Sequence, residues 1–128
     1  MKLLLDTCAF VWFQADSPQL SPIARAHILD SANEVYLSAV SVWEIARKYA
    51  QGRITLPSHP STLIPAVRRD SGIASLSLTE TDALAAEKLQ LFHKDPFDRM
   101  LIAQALMSGL AIVTSDSAFD PYPVRVIW

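Results

Sequence analysis

The chain has 128 residues, 51% of them hydrophobic, which is the size of one domain spanning residues 1–128 and enough apolar mass for a packed core, so a disordered chain is excluded. A formal charge of −2 and a pI near 5.8 weigh against a protein that grips nucleic acid through its overall charge, because such domains are usually basic. Cys8 is the only cysteine, so an internal disulfide and a Cys-based zinc site are both excluded, and His27, His59 and His93 lack metal-ligand spacing. A lone cysteine beside an apolar strand is expected to be a small buried hydrophobe. No apolar run approaches the ~18 residues of a membrane span. The apolar start, broken by Asp6, lacks the cleavage site of a signal peptide. A reducing cytoplasm is the expected address.

Leu3 to Leu5 is a short apolar run, as in a buried parallel strand. A helix is expected from Cys8 to Gln14, stopping near Asp16-Ser17-Pro18. Ser21-Pro22 marks a helix start, with a serine cap and proline at the first position, and this helix should run to about Ser31. Glu34 to Leu37 reads as the second strand. Ser41 is placed to cap the next helix, with Glu44 three residues on as in a capping box, and that helix should reach Ala50. Pro57, Pro60 and Pro65 interrupt the middle, leaving a weak helix over Ala66 to Asp70. Ile73 to Leu78 is the third strand. Thr79 caps a helix to about Leu91, and Asp95-Pro96 caps another that ends at Gly109. Ala111 to Thr114 is the fourth strand, and Val124 to Trp128 a short fifth. Strands alternating with helices indicate an α/β fold with a mostly parallel sheet.

Four carboxylates fall at element boundaries: Asp6 after the first strand, Glu44 in the first turn of the third helix, Asp98 in the first turn of the Asp95-Pro96 helix, and Asp116 after the fourth strand. Each has a structural reading taken singly. Asp6 and Asp116 suit turns or caps. Glu44 lies roughly opposite the apolar stripe of Val42, Ile45, Ala46 and Tyr49, where it could cap its helix or pair with Lys48. Asp98 points along the apolar stripe of Leu101, Ile102, Ala105 and Leu106, where a carboxylate is costly unless paired or metal-bound. It could also close a capping box. Taken together, the acids gather at the edge where parallel strands end and helices begin, which is where ligands bind in such sheets. Clustered acids repel unless a cation sits among them. Hard oxygen ligands suit magnesium or manganese, which polarise phosphoryl oxygens and lower the pKa of bound water.

With these residues in view, the sequence resembles the PIN domains, and within them the VapC toxins of bacterial toxin–antitoxin pairs. The segments that carry the likeness are Leu3-Leu4-Leu5-Asp6-Thr7, Ser38-Ala39-Val40-Ser41-Val42-Trp43-Glu44-Ile45, His93-Lys94-Asp95-Pro96-Phe97-Asp98-Arg99, continuing through Ala105, and Gly109 to Asp116. They cover essentially the whole chain in order, and Asp-Pro-Phe-Asp-Arg is the most specific. The resemblance implies a Rossmann-like three-layer α/β/α domain with a four- to five-stranded, mostly parallel sheet. It implies that Asp6, Glu44, Asp98 and Asp116 are the catalytic and metal-binding quartet of a Mg²⁺-dependent ribonuclease, with Mn²⁺ as an alternative ion. It also implies a homodimer inhibited by a VapB-type antitoxin.

On this reading Asp6, Asp98 and Asp116 bind the ion, and Glu44 completes the site and positions or deprotonates the attacking water during hydrolysis of an RNA phosphodiester. Asp95 is assigned to capping, with a second ion as its other possible use. Thr7 and Ser115 are candidates to orient a ligand carboxylate. Arg47, Lys48, Arg53, Lys94 and Arg99 are candidates for a phosphate groove, whereas Arg68-Arg69 reads as surface. Trp12, Phe13, Trp43 and Tyr49 should be mostly core, some of them forming a groove for an apolar antitoxin segment. Two other classes compete with this reading. A haloacid-dehalogenase-like phosphatase needs a second aspartate where Cys8 stands, and a receiver-like interaction module would use the acids only as caps. A nuclease of the same fold acting on DNA is a third alternative.

Overall fold

A computed structural model describes all 128 residues, Met1–Trp128. In chain order it contains β1 (Lys2–Leu5), α1 (Thr7–Gln14), α2 (Pro22–Leu29), β2 (Glu34–Ser38), α3 (Ala39–Ala50), α4 (Pro60–Ser71), β3 (Ala74–Leu76), α5 (Glu80–Lys88), α6 (Pro96–Ser108), β4 (Ala111–Val113), a 3-10 turn (Ser117–Phe119) and β5 (Val126–Ile127). The five strands form one sheet in the order β3-β2-β1-β4-β5. Every pairing is parallel.

Alternation along β1 explains the layers. Leu3 and Leu5 point to one face, where they pack with Ala9 and Phe10 of α1, Ala24 and Ile28 of α2, Ile45 of α3 and Ile64 of α4. Leu4 points to the other face and packs with Leu101, Ile102 and Ala105 of α6. A strand covered on both sides has no polar face, which is why β1 and β4 read as continuous apolar runs. Each fully buried Leu or Ile here contributes about 1.5–3 kcal/mol relative to exposure. The result is the three-layer α/β/α arrangement.

Several helix starts follow their local signals. Ser21 caps α2 through Ala24 N–H with Pro22 in the first turn. Thr79 and Asp82 form a reciprocal capping box on α5. Asp95 caps α6 ahead of Pro96. Gly109 ends α6 at φ +67°, a left-handed conformation that costs glycine little.

Other starts differ from the sequence expectation. Ser38, not Ser41, caps α3, its hydroxyl accepting from Val40 N–H, because β2 runs one residue further than its apolar run and passes directly into the helix. The Ser41–Glu44 capping box therefore does not form. The middle segment is a full helix, α4, opened by His59 as cap and Pro60 in the first turn. Pro65 lies inside α4; the loss of one internal hydrogen bond is tolerated because Leu63 and Ile64 anchor that turn by burial. Arg68 is not simply a surface charge. It donates to the carbonyls of Ala74 (2.6 Å) and Leu37 (3.3 Å), tying α4 to the β2–β3 edge.

Candidate active site

Parallel register brings the distant acids to one edge. Leu5 aligns with Leu37 of β2 and with Val113 of β4, so the three central strands end together. Asp6 follows β1 immediately, α3 begins immediately after β2, and Asp116 stands three residues past β4. Helix α6 feeds β4 and so runs against the sheet, which puts its first turn, with Asp98, at that same edge. β1 is the strand at which the order reverses, the position where open parallel sheets leave a crevice. There a cavity of about 190 Å³ is lined by Asp6, Glu44, Asp95, Asp98 and Asp116, with Thr7, Cys8, Lys48 and Ser115.

Each acid is held differently. Asp6 is 7% exposed and caps α1, its Oδ1 accepting from Ala9 N–H at 2.7 Å. Burial pushes its carboxyl up to about 6; the Thr114 hydroxyl and Ala9 amide pull the other way, and Asp116 and Glu44 add repulsion. Glu44 is buried, contrary to the expectation that it faces away from the core. α3 contacts α1, α4 and α6 as well as β2, so a wider arc of it is covered than one apolar stripe suggests. Thr7 donates its hydroxyl to Glu44 Oε1, and Lys48 Nζ lies 3.4 Å from Oε2, one turn along α3. Asp116 is exposed and caps the 3-10 turn through Ala118 N–H.

Asp98 does not close a capping box. Its Oδ2 meets His93 Nε2 at 2.7 Å. Burial raises its carboxyl to about 6, against the His93 hydrogen bond, with further repulsion from Asp95 and Glu44. Ligand atoms of His93, Asp98 and Asp116 all lie within 4.8 Å of one another. Asp6 and Glu44 line the same cavity but fall outside that tightest group. Sequence spacing does not single out His93, since it is 23 residues from Asp116 and belongs to no recurring ligand pattern; its nearness to Asp98 in the chain was the available signal.

Three further expectations are corrected. Arg99 is no phosphate ligand. It is 8% exposed and spends its guanidinium on the carbonyls of Ala86 (2.9 Å), Leu89 (3.0 Å), Gln90 (3.1 Å) and His93 (3.2 Å). One residue of helix turns it about 100° away from Asp98 and toward the end of α5. Cys8 is exposed, not core, because Ala9 and Phe10 occupy the buried side of α1. Partial desolvation in the acidic cavity, and after it the neighbouring Asp6 carboxylate, nevertheless hold its thiol pKa up. Trp43 is 57% exposed. It packs against Phe97 with the rings tilted by 42° and their centroids 5.1 Å apart, and the Arg47 guanidinium lies 5.6 Å from its own centroid.

The cations that remain are grouped. Arg47, Lys48, Arg53 and Lys94 line a second cavity of about 460 Å³, which shares Glu44, Lys48 and Asp95 with the acidic one. A net-negative chain thus carries a local basic groove beside its acids. The carboxylates of the acidic cavity are hard oxygen donors, and two of them, Asp6 and Asp98, are held near 6 chiefly by burial, with added repulsion from neighbouring acids. That combination fits a small divalent cation, which would relieve the repulsion.

The PIN domain family matches residues 3–124. Ribonuclease VapC22 of Mycobacterium tuberculosis (strain ATCC 25618 / H37Rv) is 30% identical, with 97% of each chain covered. Among solved structures, VapBC2 from Rickettsia felis bound to a DNA fragment from their promoter superposes with a TM-score of 0.73 at 14% identity, covering 98% of this chain and 97% of that one. DNA-bound VapBC from Salmonella typhimurium does so at 0.67 and 18% identity, covering 98% and 96%. No helix is long and apolar enough to cross a membrane.

Proposed function

The chain belongs to the PIN-domain family, and from that premise we propose that it is a divalent-metal-dependent endoribonuclease, the toxin of a VapBC-type pair. The observation that carries this reading is the single cavity shared by Asp6, Glu44, Asp98 and Asp116. Asp6, Asp98 and Asp116 hold Mg²⁺ or Mn²⁺, and Glu44 completes the set. When bound, the ion supplies Lewis-acid polarisation of a phosphodiester and neutralises charge that builds on it. The protein's own contribution is positioning. Thr7 orients the Glu44 carboxylate, which accepts the proton of the attacking water. Lys48 pairs with its other oxygen from one turn along α3 and helps hold it in place. Arg47, Arg53 and Lys94 hold the flanking RNA phosphates in the adjoining groove.

Partner assignments follow the same reading. A VapB-type antitoxin restrains the nuclease, as supported by the VapBC complexes that share the fold, and the chain pairs as a homodimer in the cytoplasm. The apolar hollow formed by Ala39, Val40, Trp43, Leu78, Phe97 and Met100 offers surface for a protein partner, since exposed apolar patches of this kind mark interaction sites.

The test is cleavage of a defined RNA by purified protein. Cleavage should require Mg²⁺ or Mn²⁺, vanish in chelator, and vanish in Asp98→Asn with its fold intact. Full cleavage by Asp98→Asn, or by wild-type protein in chelator, would reject the assignment. Cleavage of DNA in preference to RNA would move the chain to the alternative substrate.

A further inference from the structure

We propose that His93 is a positioning residue of the metal site, donating its Nε2–H to Asp98 Oδ2 so that the other carboxylate oxygen alone faces the cation. This rests on the reading of Asp98 as a cation ligand, and it adds a residue outside the acidic quartet. Wherever the Asp98 carboxylate is ionised, as a cation ligand must be, the 2.7 Å contact requires the hydrogen to reside on Nε2. A carboxylate rotates freely about its last torsion unless one oxygen is fixed, and partners that orient a ligand in this way govern metal affinity.

The fold invests in presenting this ring. Arg99 fastens the α5–α6 connector by three of its carbonyls, including that of His93 itself, and reaches a fourth, Ala86, in the last turn of α5. The Tyr122 hydroxyl accepts from His93 N–H at 2.9 Å and donates to Gln90 at 2.7 Å. Phe119 meets the imidazole edge-on at 6.1 Å between centroids. Backbone and ring are therefore both constrained, and the imidazole has one direction to point, into the carboxylate. Ligand atoms of His93, Asp98 and Asp116 lie within 4.8 Å of one another, so the ring fixes the Asp98 carboxylate beside that of Asp116.

The experiment compares His93→Phe, which keeps an aromatic ring against Phe119 but cannot donate, with His93→Gln, which keeps a donor. Mn²⁺ affinity is measured by calorimetry on the apo chain, at a temperature below the melting point of every variant, with Asp98→Asn as the control. His93→Phe should weaken Mn²⁺ binding on the order of 10- to 100-fold, and His93→Gln should restore it to within about threefold of wild type. In RNA cleavage, His93→Phe should lower kcat with KM nearly unchanged. If wild type binds Mn²⁺ and Asp98→Asn does not, yet His93→Phe binds normally, the positioning role is overturned while the metal site stands. If His93→Gln is as weak as His93→Phe, hydrogen-bond donation is not what the ring supplies, and the proposal fails. If wild type itself does not bind Mn²⁺, both the metal reading and this inference fall.

Discussion

Replacing Asp6 by asparagine should stabilise the metal-free protein while abolishing its activity. Asp6 is 7% exposed, and its carboxyl is raised from 3.8 to about 6, chiefly by burial. Between those two values the folded state holds more protons at this position than the unfolded state does. Asp6 therefore costs nothing below about pH 4, and its cost grows as pH rises, reaching its full value above about pH 6. A rise of about two on the pH scale corresponds to about 3 kcal/mol at most, at about 1.4 kcal/mol per unit. Asparagine caps helices about as well as aspartate, so the bond from Ala9 N–H survives. Its amide must turn toward Thr114, so the net gain should be about 1–3 kcal/mol, or roughly 4–10 °C in Tm. Thermal melts in chelator at pH 7 and pH 4 read this directly. The gain should be largest at pH 7, shrink toward zero at pH 4, and narrow when Mn²⁺ is added to both proteins. If Asp6→Asn melts at or below wild type at pH 7 in chelator, the idea that burial makes this carboxylate costly is wrong.

Arg99→Met should lower stability by about 3 kcal/mol, because it leaves buried carbonyls at the end of α5 without donors; a Tm within two or so degrees of wild type, with only RNA binding weakened, would restore the phosphate role expected from sequence. Ser41→Ala should melt at or slightly above wild type, since the buried Ser41 hydroxyl has no hydrogen-bond partner and its removal relieves a desolvation penalty of about 1 kcal/mol. A clear loss of stability in a melt would show that the hydroxyl is satisfied. Arg53→Ala combined with Lys94→Ala should raise KM for RNA and flatten the dependence of binding on salt, by a slope of about 0.7 per lost phosphate contact. Unchanged salt dependence in a binding titration would remove the groove from the substrate path.

Local chemistry wrote the strands and several helix starts into the chain. Three apolar leucines in a row make β1 a buried strand, Ser21-Pro22 and Asp95-Pro96 open helices because a side-chain oxygen and a fixed proline φ suit those positions, and Gly109 closes α6 by adopting positive φ. The alternation of strands and helices was enough to anticipate a parallel sheet, and that in turn places residues following strands at a common edge. Asp6 and Asp116 were therefore readable as neighbours. Periodicity misjudged Glu44 because it assumes one covered face, and α3 is covered by three helices as well as the sheet. Only tertiary packing decided the strand order, the burial of Glu44, the outward turn of Cys8 and Trp43, and the meeting of His93 with Asp98. Arg99 is the clearest case. Its chain neighbours suggest a charge beside a phosphate, yet the carbonyls it serves come from the end of another helix. Propensities and caps act over one or two turns, whereas which polar group is buried, and beside what, is set by segments brought together from far along the chain.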